Sequence, residues 1–173
     1  MINIPFYTCT MTMIRPAQES DLPSILEIYN QGIQDRVATL EEDAKNMEYI
    51  KQWFESRSSR YSVMVAEILP GEIGGWASLN PYSHRCAYSG VADLSVYIRR
   101  ELRGRRLGSL LLSNLEQVAK TNGFHKIVLM TLPFNLSGQG LYHKMGYRSV
   151  GIFENQGKLD GRFVDVMAME KLL

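Results

Sequence analysis

Residues 99–108 combine arginine and glycine in a pattern that suits the binding of a phosphate-bearing ligand. They read RRELRGRRLG, with five arginines in the first eight positions and glycine at positions 104 and 108. Arginine contacts phosphate oxygens through a planar fork of N–H donors, and glycine lets the backbone approach a ligand closely. A solvated basic turn, which needs no ligand, would have the same composition.

The segments on either side of this turn indicate a strand before it and a helix after it. Residues 93–98 alternate and are rich in strand-forming types. Leu107, Leu111, Leu115 and Val118 fall on one stripe of a helix. The first N–H groups of a helix have no partner within it, and the helix dipole favours negative charge there. The order of strand, basic turn and helix therefore predicts an anion site at the turn.

The composition is that of a globular domain and gives no indication of a nucleic-acid or membrane partner. The 173 residues are 45% hydrophobic and 21% charged, with a formal net charge of +1. So small a charge argues against binding to nucleic acid or to a membrane surface, and no apolar run reaches the roughly 18 residues of a membrane span. His84, His125 and His143 lack metal-ligand spacing, so we expect no metal site. Cys9 and Cys86 give no disulfide framework, which favours a reducing, cytoplasmic location.

Residues 1–12 are predicted to be an N-terminal extension, and residues 13–173 a single domain. The extension lacks the basic start and the long apolar run of a signal peptide. Met1, Met11 and Met13 are all open as the start of translation.

Periodicity along residues 13–173 predicts the element order β-α-α-β-β-β-α-β-α-β-β. The first helix is expected to begin with Ser20 as its N-cap, and the second to cover residues 45–58. The predicted strands are 12–17, 61–69, 73–79, 93–98, 126–131, 147–153 and 162–169, with a polar loop over 80–90 and a turn over 157–161. This order predicts an α/β protein of the α+β type, in which a mixed, mostly antiparallel sheet of about seven strands carries helices on both faces.

Two motifs in this order resemble those of the GNAT N-acetyltransferase superfamily. Residues 103–108, RGRRLG, are similar to its acetyl-coenzyme A motif, Arg/Gln-x-x-Gly-x-Gly/Ala. Residues 135–142, NLSGQGLY, with Gly146-Tyr147 after them, are similar to its second motif. The resemblance covers residues 13–173 and departs from the usual pattern at Arg106, where glycine is usual, and at Gly138, where serine is usual.

Finer features resemble the phosphinothricin and methionine sulfone (sulfoximine) acetyltransferase subgroup. They are the Asn-Pro pair at 80–81 and the segments 85–88, 91–97 and 157–166. The resemblance implies acetyl-CoA as co-substrate, the free amino group of a small amino-acid-like compound as acceptor, and a homodimer.

The resemblance also implies two catalytic residues, Asp93 as general base and Tyr142 as general acid. Asp93 stands where the family has glutamate, and an ordinary aspartate, with a pKa near 3.9, is a weak base. Its pKa must be raised or it must act through a water molecule. Asp93 could instead end the strand or pair with an arginine, and Tyr142 could be a core aromatic residue.

The remaining candidate residues would bind the two substrates. Those expected to bind acetyl-CoA are Ser95, Val96, Tyr97, Arg103, Gly104, Arg105, Arg106, Leu107, Gly108, Ser109, Asn135 and Tyr142. Arg85, Tyr88 and Asp93 are expected to bind the acceptor, because arginine can fork onto a carboxylate or phosphinate. Arg85 could also be a solvated loop residue, and Asn135 a helix cap.

Three functions are consistent with these residues. The first is acetylation of a small amino-acid-like amine by direct attack. The second is acetylation of a protein N-terminus or of lysine. The third is a non-catalytic acyl-CoA-binding module. The departures at Arg106 and Gly138 favour this third function, and the presence of Asp93 and Tyr142 argues against it.

Overall fold

A computed structural model describes residues 12–173, and residues 1–11, which include Cys9 and the candidate starts Met1 and Met11, lie outside the described residues. The seven strands are β1 (Met13–Pro16), β2 (Val63–Leu69), β3 (Glu72–Pro81), β4 (Val91–Ile98), β5 (Lys126–Thr131), β6 (Arg148–Leu159) and β7 (Arg162–Leu172). They form one sheet in the order β1-β2-β3-β4-β5-β7-β6, in which only the β4–β5 pair is parallel. The predicted fold class is confirmed.

Helices cover both faces of the sheet. The first two helices, α1 (Leu22–Gln34) and α2 (Met47–Glu55), pack with Val65 and Trp76 on one face. The other two, α3 (Leu107–Thr121) and α4 (Leu136–Lys144), pack on the opposite face. The side chains of Leu107, Leu111 and Leu115 are buried there, as the apolar stripe of α3 predicts. Each such leucine contributes about 1.5–3 kcal/mol to the free energy of unfolding.

The two parallel strands separate after three residue pairs. Residues 91–93 of β4 pair with residues 126–128 of β5, whereas β4 continues to Ile98 and β5 to Thr131. On its other side β4 stays in register with β3 as far as Ile98. Beyond Asp93, the backbone edge of β4 that faces β5 therefore has no strand partner among residues 12–173.

Three of the differences from the predicted boundaries have a clear local cause. Ser20 does not cap α1, because a 3-10 turn (Glu19–Asp21) precedes the helix and the Asp21 carboxylate accepts the Gln18 N–H at 2.8 Å. The second helix begins at Met47 rather than at residue 45, since Asn46 caps it by accepting the Tyr49 N–H.

The third boundary concerns the closing hairpin. The predicted turn over residues 157–161 is wrong, because β6 continues to Leu159 and only Asp160 and Gly161 form the turn. A bulge between Phe153 and Gly157 interrupts the alternation of side chains, so the sequence pattern ends the strand too early.

Candidate active site

A cleft with a volume of about 410 Å³ opens where β4 and β5 separate. It is lined by residues 94–98 of β4, by the turn before α3 and the start of that helix, and by α4. Eleven of the twelve residues predicted to bind acetyl-CoA line this cleft, and Arg105 does not. The backbone of β4 therefore borders the same cleft as the first turn of α3.

The turn before α3 owes its shape to two left-handed residues. Gly104 has φ 76° and Arg106, the residue before the helix, has φ 66°. A side chain in this conformation costs about 1–2 kcal/mol, which glycine avoids. The structure thus gives a backbone reason for the glycine that is usual at position 106, and Arg106 holds the conformation at a cost.

Acidic side chains of α1 and its C-terminus engage three of the five arginines. The Arg99 guanidinium binds Glu27 through two N–H groups, at 2.6 and 3.0 Å. Asp35 contacts both Arg100, at 2.7 Å, and Arg103, at 2.6 Å, and Arg103 also donates to the Ile98 carbonyl at 3.2 Å. Asp35 lies in the wall of the cleft, so the charge of Arg103 is already partly neutralised there.

Two glycines lie at close contacts around α4. Gly108 of α3 faces Leu141 of α4, and Gly138 lies beside Asn135, the cap of α4. A Cβ on Gly108 would lie 2.8 Å from Leu141 Cδ2, so a larger residue there would force the Leu141 side chain to move. Asn135 caps α4 by accepting the Gly138 N–H at 3.0 Å, and its amide donates to the Thr131 hydroxyl at 3.3 Å. A Cβ at position 138 would lie 2.6 Å from Asn135 Nδ2, so a serine there would require the Asn135 side chain to move. Asn135 is thus a helix cap that also lines the cleft.

Asp93 is largely buried on β4, and burial raises the pKa of its carboxyl group to about 6. Two hydrogen bonds act in the opposite direction, one from the Asn80 side chain to Oδ2 at 3.2 Å and one from the Leu94 N–H. A carboxylate with a pKa of about 6 is mostly ionised at neutral pH and is a stronger base than an ordinary aspartate.

Tyr142 of α4 is buried in the core and lines the cleft. Its ring packs edge-on against Tyr147, with the ring centroids 6.0 Å apart. Burial, and then the negative charge of Asp93, raise the pKa of its hydroxyl above the usual value. Tyr142 is therefore a core residue whose hydroxyl remains protonated near neutral pH and is influenced electrostatically by Asp93.

A second, smaller pocket of about 60 Å³ lies under the first two helices. It shares Ser95 and Tyr97 with the larger cleft, and its other lining residues are mostly aromatic. The Tyr97 ring stacks on Trp76 with centroids 4.9 Å apart, and Trp53 meets Trp76 edge-on at 5.5 Å. Cleft and pocket therefore meet at the strand that carries Asp93.

The loop predicted to bind the acceptor lies outside both cavities. Arg85 and Tyr88 are exposed around the 3-10 turn (Cys86–Tyr88), and neither lines the cleft or the small pocket. Tyr88 packs edge-on against Tyr82 with centroids 5.9 Å apart.

Sequence reasoning missed Asn80, Arg57 and the aromatic residues of the small pocket. Asn80 was expected in a loop, yet β3 extends to Pro81 and places Asn80 opposite Asp93. Arg57 donates to the Asn80 side chain at 3.2 Å. A polar residue that directly follows a predicted strand is the signal that could have pointed to Asn80.

Residues 12–173 contain neither a candidate metal site nor a candidate membrane span. No set of three or more His, Cys, Asp or Glu side chains is grouped as metal ligands would be. No helix in this part of the chain is both long and apolar enough to cross a membrane.

Comparison with known proteins places the chain among acetyltransferases. A family model described as an acetyltransferase (GNAT) domain matches residues 14–168. An L-methionine sulfoximine/L-methionine sulfone acetyltransferase of Pseudomonas paraeruginosa is 32% identical over 91% of this chain and 92% of its own length.

Two solved structures are similar over nearly the whole chain. A ribosomal-protein-alanine N-acetyltransferase from Brucella melitensis has a TM-score of 0.89 and 31% identity, covering 93% of this chain and 99% of that one. A GNAT superfamily phosphinothricin acetyltransferase from Sinorhizobium meliloti, in complex with acetyl-CoA, has a TM-score of 0.87 and 28% identity, covering 94% and 88%.

Proposed function

We propose, from the premise that this chain belongs to the GNAT acetyltransferase family, that it transfers the acetyl group of acetyl-CoA to the amino group of a small amino-acid-like compound. Family membership confirms the resemblance inferred from the two motifs. The observation that carries the proposal is the cleft between β4 and β5, which meets a small aromatic pocket at Ser95 and Tyr97.

The residues of the cleft fit acetyl-CoA. The unpaired backbone edge of β4 offers N–H and C=O groups to the pantetheine, as an added strand would receive them. The first N–H groups of α3 and the open backbone at Gly104 suit the diphosphate. Arg103 and Arg106, which line the cleft, supply positive charge beside it. When bound, the thioester supplies the activated acetyl group.

The small pocket supports a small acceptor. Its volume of about 60 Å³ is enough for a short side chain, and its lining is aromatic and neutral polar. The Pseudomonas paraeruginosa relative carries the name of an enzyme for methionine sulfoximine and methionine sulfone. We therefore propose methionine sulfone, methionine sulfoximine and phosphinothricin as the acceptors to test first. Arg85 and Tyr88 line neither cavity, so their role in binding the acceptor stays a prediction from the resemblance.

In the proposed mechanism Asp93 accepts a proton from the acceptor ammonium. Asp93 lines neither cavity, so the proton passes through a water molecule beside Asn80 and Ser95, which line the small pocket. The neutral amine then attacks the acyl carbon and forms the C–N bond. As the C–S bond breaks, the Tyr142 hydroxyl donates a proton to the departing thiolate, and the proton released from the new amide nitrogen restores that hydroxyl. A thiol pKa near 8.5 makes this last proton transfer helpful rather than obligatory.

The test is a thiol-release assay with acetyl-CoA and a panel of acceptors: the three compounds above, polyamines, and short peptides that begin with alanine. We expect CoA release with at least one of the three small acceptors. Asp93→Asn should lower kcat by about 10²–10⁴-fold, the usual size of a general-base effect. Tyr142→Phe should lower kcat more than it raises KM. An Asp93→Asn enzyme within a few-fold of wild type at all pH values would show that the base is elsewhere.

A protein N-terminus is the second candidate acceptor. The similarity to the ribosomal-protein-alanine N-acetyltransferase of Brucella melitensis favours it. Peptides that begin with alanine would then release CoA faster than the three small compounds. Acetyl-CoA binding without CoA release for any acceptor would instead support the non-catalytic module.

A homodimer in the cytoplasm is also proposed. The edge strand β6 exposes Val150, Ile152 and Phe153, and Phe163 of β7 is 65% exposed beside it. A second copy of the chain would cover this apolar strip. Sedimentation equilibrium should give twice the mass of one chain, and Ile152→Lys should return it to a monomer. A wild-type protein that sediments as a monomer would overturn the dimer.

A further inference from the structure

We propose that Asn80 and Arg57 are positioning residues, which fix the carboxylate of Asp93 through one chain of hydrogen bonds. This inference rests on the proposed role of Asp93 as general base. Both residues lie next to the small aromatic pocket, since Asn80 lines it and Arg57 packs on Trp53, which also lines it.

Asn80 bridges two side chains of the neighbouring strand. Its Nδ2 donates to Asp93 Oδ2 at 3.2 Å and to Ser95 Oγ at 3.1 Å. The register of β3 and β4 places Asn80 directly opposite Asp93, so this contact depends on the sheet rather than on a loop. Donation to the carboxylate favours its ionised form.

The oxygen atom of the Asn80 amide accepts two hydrogen bonds. Arg57 Nη2 donates to Asn80 Oδ1 at 3.2 Å, and the Ser78 hydroxyl donates to the same oxygen at 3.1 Å. Rotating the amide by 180° would turn its NH₂ toward the Arg57 donor and its oxygen toward the Asp93 carboxylate. Both contacts would become repulsive, so the orientation that serves Asp93 is the only one that satisfies all the groups.

Arg57 is held in place by contacts that leave its charge without an acidic partner among the described residues. Its guanidinium packs 4.6 Å from the Trp53 ring centroid, and its Nε donates to the Tyr61 carbonyl at 2.9 Å. Nη2 also donates to the Leu79 carbonyl. Burial lowers the pKa of Arg57 to about 10, and no carboxylate offsets this effect. Arg57 is half-buried, so its charge is only partly solvated, and the hydrogen bond to Asn80 Oδ1 is one of the few interactions that satisfy it.

Among residues 12–173, no other group near Asp93 can replace the hydrogen bonds that run from Arg57 through Asn80 to its carboxylate. The titratable groups that sense its charge are Tyr97 on the same strand and Tyr142 on α4, and the Leu94 N–H is the other donor to its carboxylate. Both tyrosine hydroxyls stay neutral near pH 7, because burial raises the pKa of each. Loss of the Asn80 donor should therefore raise the pKa of Asp93 above about 6.

The experiment compares Asn80→Ser, Arg57→Met and Arg57→Lys with the wild type. Arg60→Met is the matched control, because Arg60 also packs on an aromatic ring, Phe124 at 4.1 Å, and bonds a backbone carbonyl without contacting Asn80. The readouts are the acidic limb of the pH profile of kcat/KM and a carbon NMR titration of the Asp93 carboxyl in the free enzyme.

Asn80→Ser should move both readouts upward by about one pH unit, the size expected for one hydrogen bond to a charged group. Arg57→Met should move them in the same direction by less, with kcat reduced and KM for acetyl-CoA unchanged. Arg57→Lys should restore part of the shift, and Arg60→Met should change nothing. Should Arg57→Met fail to fold, Asn80→Ser and Arg57→Lys decide the question.

The positioning role is overturned if Asn80→Ser and Arg57→Met titrate like the wild type while Asp93→Asn is inactive. The proposed role of Asp93 as general base fails by a different result, namely an active Asp93→Asn variant. In that case the NMR titration still shows whether Asn80 and Arg57 set the ionisation of Asp93.

Discussion

Replacing Asp93 with asparagine should stabilise the protein while it removes the proposed base. Burial raises the pKa of this carboxyl group from 3.8 to about 6. At about 1.4 kcal/mol per pKa unit, ionising Asp93 costs the folded state about 3 kcal/mol once both folded and unfolded forms are charged. The raised pKa means that this cost is absent below pH 3.8, develops as the pH rises toward 6, and is complete above it.

The gain in the free energy of unfolding from Asp93→Asn is smaller than the cost of ionising Asp93 in the folded state. Asparagine offers one carbonyl oxygen where aspartate offers two, so one of the bonds from Asn80 and Leu94 is lost, at about 1 kcal/mol. We expect Asp93→Asn to raise the free energy of unfolding by about 1–2 kcal/mol at pH 8.

Urea unfolding at two pH values measures this effect. The ionisation cost in the wild type is about 1 kcal/mol at pH 4.5 and about 3 kcal/mol at pH 8, so the difference in stability between variant and wild type should widen by about 2 kcal/mol. Asp43→Asn, at an exposed loop position, is the control and should stay within about 0.5 kcal/mol of the wild type at both. A difference that is constant or narrows with rising pH would refute the claim that burial raises the pKa of Asp93.

Three further predictions concern the cleft. Arg106→Gly should be about 1 kcal/mol more stable to urea than Arg106→Ala, because only glycine relieves the left-handed backbone, and equal stabilities would contradict this. Gly108→Ala should raise KM for acetyl-CoA several-fold, since its Cβ would lie 2.8 Å from Leu141 Cδ2 and displace that side chain, which lines the cleft. Gly151→Ala, with no atom within 4 Å, should leave KM unchanged. Acetyl-CoA at 100 times its Kd should add about 2.7 kcal/mol to the free energy of unfolding, and an unchanged melting temperature would show that the cleft does not bind it.

The features that sequence reasoning predicted well are local. The stripe of α3 and the basic turn before it lie within one short segment, so residue types and spacing are enough to predict them. The resemblance added the roles of Asp93 and Tyr142, which no periodicity could supply. The structure brings residues 94–98 and the start of α3 to one cleft, as the resemblance implies.

The features it missed depend on contacts between distant segments. Arg57 and Asn80 are 23 residues apart and meet only because the segment after α2 packs against the end of β3. The exposure of Arg85 likewise follows from how the loop after β3 folds, and a short polar segment does not reveal this. The left-handed backbone of Arg106 is a third case, since arginine gives no indication of a positive φ.

Because only three residue pairs join β4 to β5, the single sheet is held together weakly between these two strands among residues 12–173. A ligand bound in the gap beyond these pairs would act as an extra strand, so the protein should be more rigid with its substrate bound than without it. The backbone amide protons of residues 94–98 that face the gap should then exchange quickly in the free protein and slowly in the complex. Their exchange rates would therefore report how much of the protein has bound the thioester.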